Sequence, residues 1–290
     1  MATQAQDLSV NRVSNCRLCG GRLTEQFRAN VLDRHEVAYL RCDVCGSLET
    51  EEPYWLDEAY TRGSAQIEAD SGAALRNLDS FAIVYWIARI LGIVRGATIL
   101  DFGGGTGLLC RLLRDIGFNA RLYDAHSQNC FAKGFVDTGG KVDVVCSFEV
   151  FEHFASPKEQ AREVLERAGQ LCIIGTATYE DQGSEWWYLN ASAGQHVFFY
   201  SEEAMRILGR LNAFHYTRVG NIHVFSKEPI GAFKRRAMRF ALGSKWWPVC
   251  RAFSTLTLNY RRAAADSNAM TKSRDGNRTS SAALSSGDRI

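Results

Sequence analysis

The chain has 290 residues, 46% of them hydrophobic, with a formal net charge of +2; this supports one core of ordinary size with appendages and excludes two full domains. The charge rules out neither a nucleic acid nor a membrane partner. No run approaches the ~20 apolar residues of a bilayer span and no N-terminal segment resembles a signal peptide, so the expected location is the cytoplasm. Of the nine cysteines, Cys110, Cys130, Cys146, Cys172 and Cys250 stand alone, as a reducing compartment permits. The other four form Cys16-Arg17-Leu18-Cys19-Gly20 and Cys42-Asp43-Val44-Cys45-Gly46, two CxxC pairs separated by 22 residues. Matched pairs at this spacing predict a closed tetrahedral zinc site on Cys16, Cys19, Cys42 and Cys45 that folds its segment and takes no part in chemistry. Leu23, Phe27, Val31, Val37, Tyr39 and Leu40 supply short strands around it. A module this small needs the metal as its core.

Glu49 to Trp55 is an acidic, proline-marked connector, and Leu78, Phe81, Ala82 and Tyr85 then open an amphipathic helix. The apolar run Ala97 to Leu100 leads into Asp101-Phe102-Gly103-Gly104-Gly105-Thr106-Gly107, and Leu108, Leu109, Leu112, Leu113 and Ile116 follow at helical spacing. This is a nucleoside-binding strand-turn-helix: glycines at 103, 105 and 107 allow positive φ and close approach to a ligand. The dinucleotide fingerprint would place its third glycine at Leu108, so the spacing disfavours NAD. Asp124 ends the next apolar segment, where a carboxylate can accept hydrogen bonds from both ribose hydroxyls. Phe131 to Gly140 is short and irregular and places no adenine contact. Val142 to Ser147 and Leu171 to Thr176 are buried strands, Pro157 to Ala168 a helix between them, and Phe214–Val219 with Ile222–Ser226 a hairpin about Gly220-Asn221. The alternation predicts a three-layer α/β sandwich with a mostly parallel sheet and a terminal antiparallel hairpin.

Gly183 to Ser201 is strongly aromatic, with Trp186-Trp187-Tyr188 and one central histidine, His196. It follows a strand at the sheet's carboxyl edge, where ligands bind in open α/β sheets, and reads as a substrate wall. His196, able to accept a proton near neutral pH, is the expected general base, with Tyr188 in reserve and Glu149 next. His153 is either adjacent to the site or a structural hydrogen-bonding residue, and His215 and His223 read as hairpin residues. After Pro229 come eight lysines and arginines with no acid before Asp266. Phe233, Ala237, Phe240 and Ala241 share a helical face there, and Trp246, Trp247 and Phe253 follow, which suits either a docking helix or peripheral membrane contact. The tail beyond Asp266 has a disordered composition. The expected division is 1–52 zinc ribbon, 53–228 main domain, 229–265 basic amphipathic segment and 266–290 disordered tail.

The glycine turn, the Asp124 strand end and Val142 to His153, with its Glu149-Val150-Phe151-Glu152-His153 run, together resemble the class I S-adenosylmethionine-dependent methyltransferases over roughly residues 75 to 227. The resemblance implies that the turn of Gly103, Gly105 and Gly107 cradles the amino-acid end of S-adenosylmethionine, with Asp101 opening the turn, Asp124 on the ribose and Glu149 facing the methyl-donor pocket. The His196 run also resembles zinc-containing sugar methyltransferases, including enzymes that C-methylate nucleotide-linked keto sugars. Those enzymes usually carry a further C-terminal domain and a glutamate where this chain has Gln195, so the resemblance implies the sugar class more than C-methylation. The expected function is methyl transfer to a small carbohydrate-type acceptor in polysaccharide or natural-product assembly. The alternatives are an RNA methyltransferase gripping phosphates with ribbon and tail, and a non-catalytic ribbon-binding protein. Against RNA, the ribbon mixes its arginines with acids and no Asn-Pro-Pro-Tyr motif occurs.

Overall fold

A computed structural model describes residues 15–67, 72–243, 245–259 and 261–267. Residues 1–14 of the expected ribbon and most of the expected disordered tail lie outside the described residues.

The chain opens with β1 (Leu23–Val31), β2 (His35–Cys42) and β3 (Leu48–Thr50), followed by α1 (Leu56–Ile67) and α2 (Ala73–Leu91). Then come β4 (Thr98–Phe102), α3 (Leu108–Asp115), β5 (Asn119–Tyr123), β6 (Val142–Phe148), α4 (Pro157–Arg167) and β7 (Ala168–Gly175). The remainder is β8 (Phe198–Phe199), α5 (Glu202–Leu211), β9 (His215–Val219), β10 (Ile222–Ser226), α6 (Ala232–Leu242) and α7 (Trp247–Thr255).

The large sheet has the order β5-β4-β6-β7-β10-β9. Its first four strands are parallel, and β10 pairs antiparallel with both β7 and β9. From β4 the chain moves outward to β5 and returns on the other side as β6. That reversal opens a crevice beyond the carboxyl ends of β4 and β6. Continuous apolar runs form β4, β6 and β7 because both sheet faces are covered. One face packs Phe81, Val84 and Ile87 of α2 with Leu109 and Leu113 of α3; the other packs Ala161, Val164 and Leu165 of α4 with Met205 and Leu208 of α5. Helix α2 stops at Gly92, which is left-handed at φ 88 and returns its N–H to Ala88. Ser201 caps α5 by accepting from the Ala204 N–H. These elements are the three-layer α/β sandwich expected, with a mostly parallel sheet and a terminal antiparallel hairpin. The segment from Phe131 to Gly140 joins β5 by a bridge between Val136 and Leu122, with Ala132 and Phe135 packed into the core.

The smaller sheet, β1-β2-β3-β8, contains a strand from outside the ribbon. Phe198 and Phe199 pair with Glu49 and Leu48. Where the sequence suggested a metal-dependent module without other support, Val31, Val37, Tyr39 and Leu48 pack with Trp55, Tyr188 and Phe199 in a shared apolar cluster. The cysteines themselves join the core over α4 and α5. Helices α6 and α7 dock on α2 through Met238, Ala241 and Cys250. The expected apolar face of α6 is therefore split: Ala241 turns inward, while Phe233 and Phe240 face solvent. Among the described residues no helix is long and apolar enough to cross a membrane.

Candidate active site

Asp101, next to last in β4, is buried and accepts the Cys110 N–H at 3.1 Å, which ties the start of α3 to the strand. Burial pushes its carboxyl up to about 7, and the Asp124 charge adds to the shift. It shapes the glycine turn from beneath. A Cβ on Gly104 would lie 2.2 Å from this carboxylate, one on Gly103 would strike Val150 at 2.4 Å and one on Gly107 would meet Ala132 at 2.9 Å. Gly105 differs: its φ is +57 and nothing of the protein lies within 4 Å of where a Cβ would stand. Its N–H donates at 2.8 Å to Asp124 beyond β5, whose other carboxylate oxygen accepts from His126 and Ser127 N–H groups. Turn and acid therefore meet at the crevice.

Tyr60 of α1 roofs this cleft. Its ring stacks on His126 at 4.3 Å, and burial together with the Glu152 and Asp124 charges raises its phenol pKa. Sequence reasoning missed Tyr60, because nothing local distinguishes a lid tyrosine from any other helix aromatic.

Beyond β6, Glu149 holds a left-handed backbone at φ 55, an uncommon strain in a non-glycine residue. Solvent reaches its side chain, yet protein encloses it closely enough that burial, then the neighbouring Glu152 charge, pushes it up to about 8. Glu152 is wholly buried and accepts from Tyr188 Oη at 2.7 Å and Thr176 Oγ1 at 2.9 Å. Tyr188 Oη also lies 3.1 Å from Thr176 Oγ1, and its pKa is raised far above the usual range by burial and the Glu152 and Glu149 charges. Its O–H is thus held as a donor to Glu152. His196 Nδ1 is 2.7 Å from the Tyr188 carbonyl, which can only accept, so Nδ1 carries a proton and in the neutral ring the lone pair is on Nε2. That Nε2 is 4.0 Å from Glu152 Oε1. His153 lies edge-on to His196 at 4.9 Å and burial lowers its pKa to about 4. Donor atoms of Glu152, His153 and His196 all lie within 4.8 Å of one another, a set that could also hold a dication, at the expense of the His196 lone pair.

The predicted thiols converge. Cys16 and Cys45 Sγ are 3.8 Å apart, Cys19 and Cys42 Sγ 3.5 Å. Tetrahedral zinc with bonds of ~2.3 Å needs sulfurs about 3.8 Å apart, so the donor set fits the ion. Val44 and Cys45 N–H groups both point at Cys42 Sγ at 3.4 Å. Between the first two cysteines stands Arg17, whose role sequence reasoning also missed. Its guanidinium pairs with buried Glu49 and donates to the carbonyls of Thr50 at 3.0 Å, Val197 at 2.8 Å and Ala155 at 3.2 Å. The Val197 N–H donates to the Glu152 carbonyl. One arginine in the thiol knuckle thus grips the chain two residues after His153 and one residue after His196.

Of the aromatic loop, Trp187 is 76% exposed and sits 5.2 Å from the buried Tyr188 ring, whereas Trp186 packs among Tyr179, Tyr188 and Phe199. His223 is buried in the hairpin, with Tyr216 Oη, Thr178 Oγ1 and the Thr176 carbonyl around its ring, so that Thr176 links it to Glu152 and Tyr188.

Comparison with known proteins places a methyltransferase domain at residues 77–215. No curated protein matches the chain. Similar solved structures include magnesium protoporphyrin IX methyltransferase from Synechocystis PCC 6803, at 18% identity over 61% of this chain and 98% of that one, with a TM-score of 0.42. A methyltransferase of calicheamicin biosynthesis is 17% identical over 59% of this chain and 60% of that one, TM-score 0.43. The 1,6-didemethyltoxoflavin-N1-methyltransferase of Burkholderia thailandensis is 15% identical over 66% and 93%, TM-score 0.42.

Proposed function

We infer that this S-adenosylmethionine-dependent methyltransferase, its 77–215 domain being of that kind, methylates a small carbohydrate-type acceptor, with His196 as the general base. The observation that carries the base assignment is the fixed tautomer: the Tyr188 carbonyl holds Nδ1–H, leaving the Nε2 lone pair beside the cleft. A sugar hydroxyl is a weak nucleophile at neutral pH, so its proton must leave as the bond to carbon forms. Glu152 stands 4.0 Å from Nε2 and would stabilise the imidazolium formed. Tyr188 suits a positioning role better than that of a reserve base, because a phenolate there would face two carboxylates. Exposed Trp187 offers an apolar face on which a sugar ring can stack.

S-adenosylmethionine, when bound, supplies an electrophilic methyl on a sulfonium. The open face of Gly105 and the Asp124 carboxylate are the residues that would hold it, the latter exchanging its Gly105 N–H contact for ribose hydroxyls. Zinc fits Cys16, Cys19, Cys42 and Cys45; four thiolates leave no open position, so its work is structural.

The test is transfer of labelled methyl from S-adenosylmethionine to separate pools of sugar nucleotides, RNA and no acceptor. Label in the sugar pool, lost with His196→Gln, is expected. Label confined to RNA overturns the acceptor class, and no label in any pool under conditions of full cofactor binding overturns small-sugar methylation altogether.

A further inference from the structure

The basic C-terminal helices have their polarity reversed. Cys250 and Ser254 of α7 are its buried contacts, and Trp86 Nε1 donates to the Cys250 carbonyl at 2.9 Å. On the adjoining side Trp246, Val249, Phe253 and Leu256 follow at intervals of three and four, all exposed, Leu256 by 82%, with the Phe253 ring also 5.8 Å from that of Trp86. Helix α6 continues this stripe with Phe240, whose ring is 5.6 Å from that of Trp246, and Phe233, 84% exposed. A helix docked on a water-soluble core ordinarily turns such side chains inward. A contiguous outward stripe of large apolar residues is an interaction surface.

Charge selects the occupant. Between Glu228 and Asp266 there are eight lysines and arginines and no acid. Arg236 and Arg239 are exposed on α6, and Lys245 is exposed where the stripe crosses to α7. A second copy of the chain seated face to face would bring these cations together with no segment acid to neutralise them. Residues 268–290 offer only Met270, Leu284 and Ile290 as large apolar residues, too few to cover six.

We propose that the outward face of α6 and α7 docks on an anionic membrane surface, the apolar side chains entering the headgroup boundary and the flanking cations lying against lipid phosphates. Trp246 suits the boundary because its indole is apolar in body and polar at one edge. Neither helix is long enough to span a bilayer, so the contact is peripheral and reversible. It goes beyond the proposed methyl transfer and does not depend on it.

Vesicle flotation tests it with the full chain. The protein should float with phosphatidylcholine vesicles containing phosphatidylglycerol, stay behind with phosphatidylcholine alone, and detach as salt is raised. Val249→Ser combined with Leu256→Ser, both exposed and free of core contacts, should cut partition tenfold or more while S-adenosylmethionine affinity and thermal stability hold. Arg236→Gln with Arg239→Gln should cut it about fivefold per cation removed. No flotation with anionic vesicles at low salt overturns the proposal, as does full flotation of the Val249/Leu256 variant. A dimer in sedimentation that the same two serines dissolve would reassign the face to self-association and also overturn it.

Discussion

Gly105 is the turn residue at which a side chain and a ligand would compete for the same space. A Cβ at Gly103 or Gly107 strikes Val150 or Ala132, so substitution there damages the fold itself, whereas at Gly105 nothing of the protein is in the way. Gly105→Val should therefore abolish S-adenosylmethionine binding in calorimetry. Its positive φ costs the fold on the order of 1–2 kcal/mol, which a domain of this size withstands. Unchanged affinity would remove Gly105 from the cofactor site. His196, the proposed base, makes the complementary case, since it would act on a bound acceptor and not on the cofactor. His196→Gln should lower turnover about 10²- to 10⁴-fold with cofactor affinity intact. A loss below about threefold would make the loop a binding wall and move the search for a base to Glu149.

At the scale of elements, the β3–β8 pairing and Arg17 join the thiol cluster to the strand that follows His196. Chelating the metal, or Cys42→Ser, should release one zinc and loosen β1 to β3 while the large sheet stays folded. Turnover should fall with cofactor affinity preserved, because Gly105 and Asp124 lie just beyond the ends of β4 and β5, which the small sheet does not contain. Turnover that survives complete zinc loss would show that Arg17 transmits nothing. The β9–β10 hairpin carries a different sensitivity. Burial lowers the His223 pKa from 6.5 to about 4. The folded state thus keeps His223 neutral while the unfolded chain takes up a proton below pH ~6.5, so its contribution to stability is complete above that pH and is lost as pH falls toward 4. The slope approaches about 1.4 kcal/mol per pH unit. Asp101, raised by burial, works in the opposite sense, contributing most at low pH and losing its contribution as pH rises toward 7. The His223 effect is therefore read as the difference between wild type and His223→Gln in urea midpoints from pH 7 to 4; parallel curves would show that His223 is not held neutral.

The molecule as a whole should unfold cooperatively because its clusters share members across modules: Cys16, Cys42 and Cys45 lie in the core with α4 and α5, and Tyr188 and Phe199 pack with the ribbon. Zinc-loaded protein should unfold in a single thermal transition. S-adenosylmethionine at about 100 times its dissociation constant should move that transition upward by about 2.7 kcal/mol of stability. An upward shift confined to one of two separate transitions would mean that ribbon and large sheet unfold independently.

What the sequence by itself determined is local in kind. The strand-turn-helix at Asp101 to Gly107, the acid at Asp124, the hairpin at Gly220-Asn221 and the two CxxC knuckles are each set by backbone freedom, hydrophobic period or ligand spacing within a few residues. Such features survive without knowledge of their neighbours. Tyr60 over His126, Glu152 between Tyr188 and Thr176, the tautomer of His196 and the grip of Arg17 on Val197 were decided only by the tertiary structure. Each joins residues from distant parts of the chain, and the same side chain on another surface would be an ordinary aromatic, carboxylate or cation. The direction of the apolar face on α6 and α7 belongs to this second kind as well. Helical period marks which side chains share a side, but only docking on α2 decides which side meets water.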